Sequence, residues 1–290
     1  MTTQTLQDIP DVKIEEKSFF SIIVHSFFII PFLIVVFCAL LFSGVYLLTH
    51  EKKTVYDYLE DVKIGGLTKR WQGAFELSKF LANPALIPKD ERFTLELIKA
   101  FQKAQNDDKL VRQYLALAMG RTGQKQFVLP LLEGLKNERD ENLPAIIYAL
   151  GMLKDRRAVT VLYPYLNNSL ALVRSMTIVS LGNIADPASK PWVKKGLLDS
   201  EANVQWGAAI SLAQMGDTSG KKILLQLLNR SYLSQFSEVD MDEQNNLILT
   251  TLAAVAHLND SELKKKIQEL STSDQNMKVR AASLKIANQT

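Results

Sequence analysis

The sequence has 290 residues, 47% of them apolar, which is enough to bury a sizeable core. Its 34 lysines and arginines against 31 acidic residues leave a formal net charge of +3, too mild a balance to point to nucleic acid. The single cysteine, Cys38, excludes an intrachain disulfide, and within an apolar run it reads as a small hydrophobe rather than a redox centre.

Residues 1–18 form a polar N-terminal segment in which Lys13 and Lys17 stand against Asp8, Asp11, Glu15 and Glu16. Residues 19–48 carry no formal charge and read as a membrane anchor. About 20 apolar residues suffice to span a bilayer, so the span is placed at 27–48, with 14–26 as an interfacial helix leading into it. Pro31 then falls in the first turns of the span, where a missing N–H does least harm. A cleaved signal peptide is disfavoured, because the apolar stretch is too long, the preceding segment is acidic and no small-residue cleavage site follows. Lys52, Lys53, Lys63, Lys69 and Arg70 follow the span while only Lys13 and Lys17 precede it, which favours a cytoplasmic C-terminal domain. Residues 49–66 are read as a juxtamembrane linker. Val55, Tyr58, Leu59 and Val62 have helical spacing there and suggest a short amphipathic helix at the membrane, and Gly65-Gly66 suggests a flexible joint.

Residues 67–290 repeat a phrase. It opens at Val111-Arg112, Leu143, Val173-Arg174, Val204, Leu247 and Val279-Arg280, at steps of 32, 30, 31, 43 and 32. Within it recur Ala118-Met119-Gly120, Ala149-Leu150-Gly151 and Ser180-Leu181-Gly182, and it closes on Asp186, Asp217 and Asp260. In residues 155–186, Val159, Leu162 and Leu166 form one amphipathic run, Asn167-Asn168-Ser169 break it, and Val173, Met176, Val179 and Ile184 form a second. Self-similarity at this period predicts stacked helical hairpins, each too small to bury its apolar face alone. The expected fold is all-α, an α-solenoid preceded by a single transmembrane helix.

The phrase resembles the HEAT repeat, in the short bacterial form also seen in phycobilisome-lyase-like proteins. The Val-Arg openings, the Ala/Ser-Leu-Gly stretch and the closing aspartates carry the resemblance over residues 111–290, and Arg70–Leu77 reads as a degenerate first repeat. It implies a right-handed solenoid in which Asp caps a helix start and Arg reaches a neighbouring carbonyl or carboxylate. Pro144, Gln205 and Ile248 replace the arginine in three units, so a continuous Arg ladder is not expected.

Two candidate partner-binding regions emerge. The resemblance implies that the second helices line a concave face, which would carry Tyr163, Tyr165, Trp192, Lys194, Lys195, Lys221 and Lys222, a mixture suited to a peptide or an acidic protein segment. The 43-residue step contains an insertion at 231–246, in which Tyr232 and Phe236 would be exposed anchors and Asp240 and Asp242 part of an acidic patch. No calcium loop is completed there, since the required glycine and distal glutamate are missing. His25, His50 and His257 are the only histidines, and no metal-ligand cluster, phosphate loop or nucleophile motif is present.

The sequence therefore predicts a scaffold, not an enzyme, with no catalytic residues, cofactor or metal. It would bind a protein partner at the surface of a bacterial cytoplasmic membrane, with the repeats on the cytoplasmic side and no nucleic acid involved. The alternatives are an accessory subunit of a transporter or envelope-assembly complex, with Ala39, Ser43 and Gly44 as a small-residue packing face in the span, or an enzyme of the lyase or DNA-repair kind that resembles these repeats.

Overall fold

The computed structural model describes residues 25–49, 53–136 and 138–289. The expected polar segment 1–18 and most of the interfacial helix 14–26 lie outside them. The chain divides into two compact units, Met1–Lys53 and Thr54–Thr290.

In the first unit, a π-turn at His25–Ile29 leads into α1 (Ile30–Thr49). Pro31 has no N–H to donate, and its ring crowds the preceding turn. Ser26–Leu47 spans 22 residues at mean hydropathy 2.8, long and apolar enough to cross a membrane. Its large side chains, Phe27, Phe32, Leu40 and Phe42 among them, are exposed.

The second unit begins earlier than its sequence suggests. In α2 (Val55–Ile64), Thr54 and Asp57 form a reciprocal capping box, and Val55, Leu59 and Val62 are buried. The helix packs against α3 (Leu67–Phe80). A β-carbon on Gly73 would lie 2.9 Å from Asp61 Cβ, so glycine is what lets the two helices meet. Within the stretch 49–66 read as a linker, Val55–Ile64 is a helix packed on the array, and at Gly65-Gly66 the chain turns, the Gly65 N–H donating to the Asp61 carbonyl at 3.0 Å.

The chain continues through α4 (Glu91–Lys103) and α5 (Lys109–Arg121), then α6 (Val128–Leu135) and α7 (Leu143–Leu153). Next come α8 (Val159–Leu162), prolonged by a 3₁₀ turn at Tyr163–Asn167, and α9 (Ala171–Ile184). They are followed by α10 (Lys190–Lys195), with a 3₁₀ turn at Gly196–Leu198, and α11 (Ala202–Gln214). The last are α12 (Lys221–Leu227), α13 (Arg230–Leu233), α14 (Met241–Val255), α15 (Ser261–Ser273) and α16 (Met277–Ala287).

One row of helices, α3, α5, α7, α9 and α11, stacks in order, each on the next. The recurrent glycines are the reason. A β-carbon on Gly120 would lie 2.8 Å from Ala149 Cα, on Gly151 2.7 Å from Ser180 Cα, and on Gly182 3.0 Å from Ser211 Cα. Each glycine receives the small residue one repeat on, and that residue stands two places before the next repeat's glycine or alanine. The buried hydroxyls are satisfied inside the stack: Ser180 Oγ donates to the Ile147 carbonyl at 2.9 Å, and Ser211 Oγ to that of Ile178 at 3.4 Å.

The second row is shorter and partly 3₁₀. Its starts are capped by the periodic aspartates: Asp155 accepts from the Arg157 N–H at 2.9 Å, Asp186 from Ala188 at 2.9 Å, Asp217 from Ser219 at 2.9 Å and Asp260 from Glu262 at 3.0 Å. Basic side chains of the preceding unit reach the same carboxylates. Arg156 lies 3.3 Å from Asp186, Lys194 2.9 Å from Asp217 and Lys221 3.3 Å from Asp260.

The core forms two clusters that meet at α11. Val204, Ala208 and Leu212 belong to the N-terminal cluster, and Trp206, Ala209 and Ala213 to the C-terminal one.

The cap carboxylates carry a pH dependence. Hydrogen bonds from Arg157 hold Asp155 at about 2. Burial pushes the Asp217 pKa up, but the Ser219 hydrogen bonds and the Lys194 ammonium outweigh it and hold that group at about 2 as well. An unfolded aspartate titrates near ~3.9. Both pKa values are therefore depressed on folding, so the stabilisation is complete above pH ~4 and is lost as pH falls toward 2. The melting midpoint is expected to fall across that window, and Asp155→Asn with Asp217→Asn to flatten part of the fall. An unaltered profile in the double variant would remove these caps from the acid response.

Candidate partner-binding surface

Three of the sequence-predicted residues come together on the second row. The 3₁₀ turn after α8 presents Tyr163, and α10 presents Trp192. Their rings stack with centroids 4.6 Å apart and planes 20° from parallel. Lys195, one turn after Trp192, holds Nζ 4.3 Å from the indole centroid. The Tyr163 hydroxyl donates to the Ala188 carbonyl at 3.4 Å. Burial raises the pKa of that phenol, and the charge of Asp186 raises it further.

Beside this stack opens a cavity of about 220 Å³ lined by Leu166, Ile178, Trp192, Lys195, Leu198 and Asp199. Leu198 is 90% exposed at its rim. Asp199 is held by a two-pronged contact from Arg174, Nε and Nη2 each donating at 2.8 Å, and that hydrogen bonding keeps its carboxyl below the usual range. The surface thus sets the exposed Leu198 beside the Lys195 ammonium, and its acid, Asp199, is paired with Arg174. Leu198 has no sequence signal: the helical pattern that marks it apolar equally fits a core position.

The other expected residues have other duties. Tyr165 is half-buried, and its hydroxyl donates to the Leu135 carbonyl at 3.4 Å. Lys194 and Lys221 are rungs between neighbouring repeats, Lys221 also lying 3.2 Å from Glu262. Lys222 is exposed, one helix farther along.

Tyr232 and Phe236 are corrected from exposed anchors to packing residues. They meet Trp206 edge-on, at centroid distances of 6.3 and 4.8 Å, and the indole N–H donates to the Tyr232 hydroxyl at 3.3 Å. The insertion folds into α13 and the start of α14, which Asp240 caps by accepting from the Glu243 N–H at 2.8 Å. Asp242 is exposed in the first turn of α14.

The arginine rungs are discontinuous, as the replaced positions predict. Arg70 pairs with Asp107, Arg112 with Glu138, Arg174 with Asp199 and Arg230 with Asp274. Arg112 and Glu138 are almost fully buried, at 2% and 1% exposure. Glu138 is a partner that sequence reasoning missed, since the spacing from arginine to acid varies along the array. His257 reaches back to the Ala213 carbonyl at 3.0 Å, a link between repeats. Among the described residues no group of His, Cys, Asp and Glu could hold a metal ion.

This geometry, one row of glycine-stacked helices and a second row capped by aspartate, defines an α-solenoid of HEAT-like hairpins. A family model described as HEAT repeats matches residues 166–235. Among solved structures, the chain is similar to the complex of CpcE and CpcF of phycocyanin lyase from Nostoc sp. PCC7120. That match has 18% identity and a TM-score of 0.57, and covers 82% of this chain and 96% of the other. Human deoxyhypusine hydroxylase in complex with glycerol matches at 13% identity and TM-score 0.35, covering 81% and 96%. An engineered protein matches at 17% identity and TM-score 0.40, covering 81% and 95%. No curated protein matches the chain.

One expectation is overturned by these likenesses. Reading a stacked array as no enzyme rested on architecture, and the architecture is shared with a component of a lyase. The fold gives no ground for setting catalysis aside.

Proposed function

We propose that residues 54–290 are a protein-binding array held at a membrane by Ser26–Leu47, and that the partner docks on the Tyr163–Trp192–Lys195 face. The observation that carries this reading is the aromatic stack beside an open cavity with Leu198 exposed at its rim. A stacked tryptophan with a lysine close to its ring is a rigid anchor of the kind that dominates interfaces. The long apolar helix supports tethering, and the lysines after it support an array on the cytoplasmic side of a cytoplasmic membrane. Tethering raises the effective concentration of the array toward partners at the same surface.

A second reading makes the chain one subunit of a membrane complex. It is supported by a fold likeness to a protein described as a two-component complex.

The full-length chain is expected to sediment with membranes and resist alkaline extraction, and the form lacking 26–47 to lose that behaviour. Trp192→Ala with Leu198→Asp is expected to weaken partner co-purification by roughly thirtyfold, the equivalent of about 2 kcal/mol, with helix content and melting unchanged. A partner retained in full by this variant would place docking elsewhere.

A further inference from the structure

With Val55, Leu59 and Val62 buried in the array, α2 has no apolar face to offer a membrane, but its end with α3 forms an apolar tip. Residues 63–69 read Lys-Ile-Gly-Gly-Leu-Thr-Lys, without an acid. Ile64 closes α2 and Leu67 opens α3, and each is 75% exposed. The Gly65 N–H bonds back to the Asp61 carbonyl, so the turn that presents both side chains is ordered. A solvated array end is polar. Two large aliphatic side chains held out together on such an end mark a contact surface.

The charge around the tip is basic. Lys63 and Lys69 flank the aliphatic pair, and the acids they meet, Glu96 and Asp61, are less exposed than the lysines themselves. The Lys63–Glu96 and Arg70–Asp107 pairs tie the turn to the C-terminal half of α4. Along that half, Lys99 and Lys103 follow Glu96 by one and two turns on the same side of the helix, and both are exposed. The exposed acids of α2, Glu60 and Asp57, lie one and two turns back from Ile64.

We propose that this tip seats in the headgroup layer of an anionic bilayer, with Ile64 and Leu67 entering the interface and Lys63, Lys69, Lys99 and Lys103 meeting lipid phosphates. The proposal rests on the reading of Ser26–Leu47 as a span and adds a second point of membrane contact to it. Chain length selects this occupant. Residues 48–53 are all that connect Leu47 to Thr54, at most about 20 Å of extended chain, and α2 adds about 15 Å. A bilayer that holds the span is therefore always within reach of the tip. A second copy seated tip to tip would set lysines against lysines. A tether alone lets the array swing, whereas a seated tip gives it one attitude to the bilayer.

The test is lipid quenching of a fluorophore on the full-length chain. Bimane is attached at Leu67→Cys in a Cys38→Ala background, with one chain per nanodisc of phosphatidylcholine, with or without phosphatidylglycerol. Spin-labelled headgroups are the quencher, and Leu129→Cys, exposed on α6, is the solvent reference. In anionic discs the quenching at Leu67 is expected to exceed that at Leu129 by roughly fivefold. It is expected to fall by roughly threefold in neutral discs, and equally in anionic discs when Lys99→Glu and Lys103→Glu are combined, with helix content and melting unchanged. Leu40→Cys, read with acyl-chain spin labels, tests the span separately. Leu67 unquenched while Leu40 is quenched would overturn the proposal and leave the span reading standing. Leu40 unquenched would overturn the span reading and the proposal with it. A blue-shifted but unquenched probe at Leu67 would put protein rather than lipid on the tip, and quenching indifferent to both lipid charge and the lysine pair would remove the anionic surface; either result overturns the proposal.

Discussion

Gly151→Leu is expected to abolish the cooperative melt of the array. The β-carbon alone would stand 2.7 Å from Ser180 Cα and 2.6 Å from its Oγ, so α7 and α9 would have to separate along their length. The Ser180 hydroxyl, donating to Ile147, would be displaced as well. Gly151→Ala already overpacks this contact and is expected to cost about 1–3 kcal/mol, against a helix-propensity gain of ~1 kcal/mol. Gly207→Ala is the control. It lies within α11, but its β-carbon would sit 3.5 Å from Val179 Cγ2, an ordinary contact, and is expected to be neutral or stabilising by up to ~1 kcal/mol. Circular dichroism melts of the full-length chain in detergent check both. Equal effects at the two positions would show that close approach is not what the glycines serve.

Arg112→Met is expected to be the most damaging single loss of a charged group. Arg112 donates to Glu138 from Nε at 2.9 Å and from Nη2 at 2.7 Å, binds the Phe101 carbonyl through Nη1, and lies 3.6 Å from the Phe101 ring centroid. Glu138 also accepts from the Asn142 side chain at 2.9 Å. Burial pushes the guanidinium pKa down, and Glu138 opposes that shift. Removing the arginine alone strands a carboxylate in the core, at about 3–5 kcal/mol. Removing both charges, as Arg112→Met with Glu138→Leu, is expected to cost less than either single change. Urea titration of the two single variants and the double variant decides it. Strict additivity would mean that the pair is not coupled.

The stacking row was legible in the sequence because its determinants are local and periodic. Gly120, Gly151 and Gly182 are visible as letters, and so are the small residues that fill them. The aspartate caps were legible for the same reason. The placement of α2 was not: Val55, Leu59 and Val62 give one pattern whether lipid or protein covers them, and only α3 and α4 decide between the two. Tyr232 and Phe236 failed similarly. An insertion reads as a loop, and the fact that Trp206 lies underneath is tertiary information. Of the candidate surface, Tyr163, Trp192 and Lys195 follow from the family resemblance, which puts the second helices on a concave face, yet their stacking depends on the 3₁₀ turn after α8, which no sequence pattern announces. Glu138 was illegible because the acid partner of each arginine stands at a different distance along the chain.

The meeting of the two core clusters at α11 makes that helix an element whose opposite sides are claimed by different halves of the molecule. In a stack where each repeat touches only its neighbours, stability passes from one half to the other through that link. Loosening that starts at α16 therefore travels inward until it reaches α11, whose Val204, Ala208 and Leu212 remain anchored in the N-terminal cluster. The aromatic face on the 3₁₀ turn after α8 and on α10 lies on the N-terminal side of this link, and hydrogen exchange is expected to show α12 to α16 opening as a separate cooperative block.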